Sequence, residues 1–517
     1  MRCCLEFYTC CQDKLASAMN EFLGYLIQSI PFLLAFGFAL LVITLAVFAS
    51  TRPMLVVYPI LLTIFLVSDI SYGKVDDVSV SLLSRGAGVL VFPAFVWTLL
   101  LTFVWIKFAG AFASRIDNAR VLPPVLSLTP WFAAWALLLC GHLAVAVFTG
   151  VPFRDAVGAA GFSNLLWTWL MLATLMAAMR TGDDMKWLLR FLLVVGLGRA
   201  VFGLVRWAAF GGDPVNAYGN RHGLDLKLTF FDIYDSLVCM LTITVAAMKL
   251  FTGTVRSSAM RTAFLWLAIV LPALCIVLSF RRTAQVGFLI AGIFVLTQLP
   301  KGVRWWLALG AIPAALIGGG YAVWKRLSQT RQAGGASDLF WDIMPKTIGP
   351  DSPRFIELKF AWESFLDHPI FGVGSWGNYE GWRLVSWQLD AGGGGTYLHS
   401  GVLHLGLKSG LVGMVLLIGL VLTFVLHWRL VRGMLKGNAR VLAVAGVAGC
   451  IFVIPDFVIS TAFTKHRTVL FIGLCMSFPY VAAALSGGLH RLAPQNPGRL
   501  WNHAGARRFD GGWALDR

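Results

Sequence analysis

The stretch SGVLHLGLKSGLVGMVLLIGLVLTFVL, Ser400–Leu426, decides the fold class. Its 27 residues carry a single Lys or Arg, Lys408. Wound as an α-helix at 1.5 Å per residue it would be about 40 Å long, longer than the ~30 Å hydrocarbon core of a bilayer. Its apolar residues do not alternate with polar ones, as the strands of a membrane β-barrel require. The stretch therefore reads as a helix in lipid.

Similar blocks recur along the 517 residues, at 23–49, 53–70, 87–113, 125–149, 162–179, 187–210, 229–249, 262–279, 284–299, 304–323, 441–463 and 467–486. The chain is 58% hydrophobic and 13% charged, where a soluble domain carries about 25% charged residues. The fold class expected is an all-α, polytopic transmembrane bundle of 12–13 spans with one long loop. Its parts are an N-terminal tail (1–22), an N-terminal bundle (23–323), the loop (324–399), C-terminal helices (400–486) and a tail (487–517). Thirteen spans put the N-terminus outside, and twelve would follow if one early block does not cross. The first 20 residues are polar and mixed, unlike a cleavable signal peptide.

The net charge of +17 does not point to nucleic acid. Lys and Arg sit in short connectors and form no long basic tract or nucleic-acid module. Of the nine cysteines, Cys3, Cys4, Cys10 and Cys11 crowd the N-terminus, and no pair has zinc-ligand spacing. No metal or cofactor is expected.

Connector charge gives sidedness. One set of connectors, with the C-terminal tail, holds 21 Lys and Arg residues. The opposite set holds ten, among them Arg281, Arg282, Lys465 and Arg467. The richer set is expected in the cytoplasm, which leaves the 324–399 loop and the Arg281–Arg282 turn outside. A loop of that length is functional or disordered, and this one has internal order. Ser352 reads as an N-cap and Pro353 as the first helical residue. Leu358, Ala361, Trp362, Phe365 and Leu366 then recur at helical spacing, until His368-Pro369 ends the run. An amphipathic helix of this kind lies on a membrane surface or over the mouth of a bundle.

Some polar residues are out of place. Arg354 falls in that helix's first turn, where backbone N–H groups and the helix dipole favour an anion; it reads either as an anion site or as a surface arginine paired with Asp351 or Glu357. Arg281 and Arg282 run against the charge bias: they are snorkelling interfacial residues or mark a substrate path. His399, after the Gly392–Gly395 run, is an interfacial histidine or a general base. His404, about a turn deeper, reads as packed interior.

RFIELKFAWESFLDHPIFGVGSWGNYEGW (354–382), followed by TYLHSGVLHLGLKSGLVG (396–413), resembles the signature region of the O-antigen ligase and polymerase family. The matching positions are Arg354, Trp362, the His368–Gly374 turn, His399 and Gly410–Gly413. LSFRRTAQVGFLIAG (278–292) resembles the family's arginine-bearing span through Ser279, Arg281 and Arg282. Ser400 replaces the usual Asn, and Lys408 stands where an acidic residue is common. The resemblance implies a metal-independent membrane glycosyltransferase acting on the periplasmic face of a bacterial inner membrane. The donor would be an undecaprenyl-pyrophosphate-linked glycan and the acceptor lipid A-core or another lipid-linked glycan, with membrane lipids and polysaccharide assembly proteins as further partners.

In that scheme Arg281, Arg354 and Arg282 bind the pyrophosphate, since guanidinium forks suit phosphate. His399 takes the acceptor's proton beside Ser400. Trp376 and Trp382 stack on sugars or anchor the interface. The alternative class is a transporter or flippase for lipid-linked glycan. Transporters show internal repeats and polar sites near mid-membrane; no repeat is visible here, and the suspect charges gather at one face.

Overall fold

A computed structural model describes residues 52–66, 94–113, 126–158, 163–210, 233–253, 258–279, 281–307, 309–310, 320, 353–385, 398–459 and 466–486. The chain is all-helical over these residues. In order come α1 (Pro53–Leu66), α2 (Ala94–Ala113), α3 (Thr129–Phe148), α4 (Phe153–Gly158), α5 (Asn164–Ala178), α6 (Gly182–Phe210) and α7 (Ile233–Phe251). Then follow α8 (Ala259–Leu278), α9 (Arg282–Gln298), α10 (Pro353–Asp367), a 3-10 turn (Trp382–Leu384), α11 (Gly401–Val431), α12 (Gly437–Ile459) and α13 (His466–Leu485).

Among the described residues seven helices, α3, α6, α7, α8, α11, α12 and α13, are long and apolar enough to cross a membrane. Shorter apolar helices lie at α1, α2, α5 and α9. The protein is a multi-pass membrane protein. The block at 23–49, and most of that at 304–323, lie outside the described residues.

Burial separates inner helices from outer ones. On α7 every residue from Ile233 to Met248 is buried, and α12 and α13 are buried over most of their length. These helices pack on one another and on α5, α6 and α9. On α3, by contrast, only Phe132, Trp135, His142 and Ala146 are buried. That stripe at helical spacing faces the bundle and leaves the rest for lipid.

Several helix boundaries differ from the sequence reading, and two show why. α6 begins at Gly182 rather than 187 because Thr181 and Asp184 form a capping box. The Asp184 carboxylate accepts the Thr181 N–H at 2.9 Å, and the Thr181 hydroxyl accepts that of Asp184 at 3.2 Å. The polar residues that an apolar window rejects are therefore the ones that start the helix. α11 runs on to Val431, past the apolar block and through Arg429.

The register of α9 on α12 fixes which ends of the helices share a face. Arg440 donates to the Gln298 carbonyl at 2.9 Å. Eleven residues back along α9, a Cβ on Gly287 would stand 2.2 Å from the Phe452 carbonyl. The two helices are antiparallel, so the Arg281–Arg282 turn lies level with the end of α12. There Phe457 meets Gly401, the first residue of α11. The α8–α9 turn, the C-terminal end of α12 and the start of α11 thus share one end of the bundle.

Candidate functional site at one end of the bundle

The site is built on a break in α11. Gly410 has φ 60° and ψ −160°, a conformation open to glycine and strained for other residues. The break separates the N–H groups of Leu411 and Val412 from their intrahelical acceptors. The turn after α10 replaces those partners: Leu411 donates to the Pro369 carbonyl at 2.8 Å and Val412 to that of Ile370 at 3.2 Å. In return the Leu407 carbonyl accepts the N–H of Val373 at 2.8 Å. Unpaired backbone groups in a lipid-like setting cost several kcal/mol each, so the break and the turn stabilise one another.

Glycine is required on both sides of this joint. A Cβ on Gly372, itself at φ 70°, would stand 2.4 Å from the Leu407 carbonyl oxygen. One on Gly410 would stand 2.3 Å from that of Ile370. The two glycine elements of the sequence signature, about 40 residues apart, are two halves of one contact. Lys408, fully buried, donates from its ammonium to the Gly377 carbonyl and ties down the far end of the turn. His142 of α3 holds the Phe371 carbonyl at 3.1 Å, and the Ser375 hydroxyl donates to Ala156 of α4 at 2.8 Å.

Over this joint lies α10. It starts at Pro353 and ends at Asp367, as the sequence predicts, but its buried face differs from the predicted one. Glu357, Ala361, Ser364 and Phe365 point inward, while Trp362 and Leu366 are 51% and 54% exposed. The face runs one step round the helix from the apolar stripe and has a carboxylate on it. Glu357, wholly buried, meets the His399 ring: its Oε2 lies 3.2 Å from Nδ1 and accepts the His399 backbone N–H at 3.3 Å. A carboxylate only accepts, so with Glu357 ionised Nδ1 carries the proton and Nε2 is the basic nitrogen. Around the pair Ala361, Tyr379, Val385, Leu398 and Leu407 form a small apolar cluster.

Ser400 is the N-cap of α11, its hydroxyl accepting the Leu403 N–H at 3.3 Å. Arg281, half-buried, occupies the N-cap position of α9 without a side-chain capping bond, and its backbone N–H donates to the Ser279 hydroxyl at 3.4 Å. Helix register brings the Arg281 turn to the same end of the bundle as His399. Arg282 and Arg354 are the first-turn residues of α9 and α10; their side chains lie outside the described part. The Trp376 indole folds against Gly374 and packs edge-on against the His142 ring at 6.2 Å. Trp382 lines a surface cavity. His404 is buried, as expected.

Glu357, Lys408 and a buried ion cluster carry structure that the sequence reading did not assign. In that cluster Asp235 Oδ1 accepts from Arg199 at 3.1 Å and from Arg467 at 2.9 Å. Arg467 also donates to the Ile64 and Phe65 carbonyls at the end of α1, at 2.7 and 3.2 Å. The cluster joins α1, α6, α7 and α13. Arg467, counted in the sequence as a connector charge, is wholly buried. Among the described residues no three His, Cys, Asp or Glu side chains converge as metal ligands.

Residues 267–418 match the family model described as O-antigen ligase. They span α9, the arginine turn before it, α10, the glycine joint and the start of α11. No curated protein matches the chain. Residues 267–418 therefore carry the signature of the O-antigen ligase family, and the similarity is to that part of the chain.

Proposed function

We propose that this protein transfers or polymerises an undecaprenyl-pyrophosphate-linked glycan on the periplasmic face of a bacterial inner membrane, without a metal. The acceptor is lipid A-core or a second lipid-linked glycan. The observation that carries this reading is the His399–Glu357 pair, on the same end of the bundle as the Arg281 turn.

His399 Nε2 takes the proton of the acceptor hydroxyl. That oxygen forms a bond to the anomeric carbon, and the bond from that carbon to the donor's phosphate oxygen breaks. The electron pair leaves with the diphosphate, with inversion at carbon. Glu357 holds Nδ1–H throughout and stabilises the imidazolium that forms, the part a buried carboxylate plays behind other catalytic histidines. Arg281, with Arg282 and Arg354, neutralises the charge gathering on the leaving diphosphate. Fixed cations act strongly where water is sparse.

The test is complementation of a deletion strain with Arg281→Ala, Arg354→Ala and His399→Ala at matched membrane abundance. Each is expected to lose glycan transfer, and full activity in the arginine variants would refute their role. Surface glycan analysis of the deletion separates the two reactions. Single repeats on lipid indicate a polymerase, and undecorated core a ligase.

A further inference from the structure

The turn after the glycine joint contains a cavity of about 350 Å³ lined by Asn378, Tyr379, Glu380, Gly381, Trp382 and Arg383, at the small end of the usual ligand-pocket range of about 300–1,000 Å³. Its lining is tied to α10 from below. The Ser364 hydroxyl of α10 accepts the Glu380 N–H at 2.9 Å. Gly381, at φ 75°, turns the chain against the Phe360 ring, where a Cβ would stand 3.0 Å away. Tyr379, fully buried, packs with Ala361, one helical turn past Glu357, and with Leu398, the neighbour of His399. The cavity thus shares Tyr379 with the apolar cluster that surrounds the histidine pair.

Its chemistry is selective. One carboxylate and one guanidinium give the lining no net charge, and a diphosphate would face Glu380. An amide, a carboxylate and a guanidinium are planar groups whose paired donors and acceptors match neighbouring hydroxyls. The Arg383 guanidinium lies over the Trp382 ring, 5.5 Å from its centroid, and the half-buried indole is left to meet ring C–H groups with its remaining apolar surface. We infer that this cavity is a subsite for an uncharged pyranose of the acceptor glycan, next to the hydroxyl that His399 deprotonates. The inference rests on the glycan-transfer reading for the acceptor assignment; the sugar site itself rests on the cavity.

Purified full-length protein in detergent would be tested by saturation-transfer NMR with methyl glycosides of hexoses and N-acetylhexosamines. Wild type and His399→Ala are expected to saturate a probe, Trp382→Phe to retain the signal, and Trp382→Ala to lose it by at least about fivefold. In a transfer assay Trp382→Ala is expected to raise the acceptor KM about tenfold and leave the donor KM unchanged. A sugar signal independent of Trp382, or none, overturns the subsite even where wild type transfers glycan. A rise in donor KM instead of acceptor KM overturns the acceptor assignment. Binding that depends on Trp382 in a protein that transfers no glycan upholds the sugar site and refutes the glycan-transfer reading.

Discussion

A buried carboxylate beside a histidine does two things for it: it selects one tautomer and steadies the ring. Glu357→Gln keeps the shape but removes the charge, and is expected to lower the transfer rate about 10- to 100-fold with unchanged protein level. His399→Ala is expected to cost about 10²–10⁴. Because the two act as a unit, the double variant should be no slower than His399→Ala alone, and rates on purified protein measure all three. A further large loss in the double variant would mean that Glu357 acts elsewhere. His399 was legible in the sequence because a histidine at the start of an apolar block stands out. Glu357 reads in the sequence only as a surface partner for Arg354, because the apolar stripe lies one step round the helix from the face that is buried. The useful signal was its spacing: Glu357, Ala361, Ser364 and Phe365 recur as one helical face.

At the level of the elements, α11 and the turn after α10 hold each other in shape. Gly372→Ala and Gly410→Ala each place a Cβ against backbone carbonyls and force a left-handed residue, a conformation costing about 1–2 kcal/mol before any clash. Both are expected to lower thermal stability in detergent and to leave little folded protein in the membrane. Lys408→Met keeps the bulk of the side chain but leaves the Gly377 carbonyl without its ammonium, a loss of about 1–3 kcal/mol. It is expected to fall between wild type and the glycine variants in the same melts. The start and end of α10 and the start of α11 were legible from Pro353, from His368-Pro369 and from the apolar run, whereas the end of α11 at Val431 was not. The break at Gly410 was not, because the residues that replace its hydrogen bonds are long-range in sequence, and only the resemblance to a glycine-bearing signature pointed to the place.

Across the whole molecule, antiparallel packing puts the arginine turn, α10 and the start of α11 on one side and the α11–α12 connector on the other. In a background with native cysteines replaced, Asp367→Cys and Lys436→Cys should be labelled by an impermeant maleimide from opposite sides of the membrane. Labelling of both from one side would refute the arrangement. Asp235→Ala leaves two buried guanidiniums without their shared carboxylate and is expected to cost about 3–5 kcal/mol, read as a lower melting temperature. The membrane class and most spans were legible because apolar blocks dominate the chain. Interior polar architecture was not: Arg467 sits beside a connector and reads as a surface charge, while Arg199 and Asp235 lie inside or beside apolar blocks with no visible partner nearby in sequence.

A peptide covering Gly401–Val431 alone would have no Pro369 or Ile370 carbonyl to satisfy Leu411 and Val412. Their N–H groups would turn back to Leu407 and Lys408, and the peptide would straighten. The bend is then a property of the assembled protein rather than of the segment, and its angle would serve as a gauge of assembly.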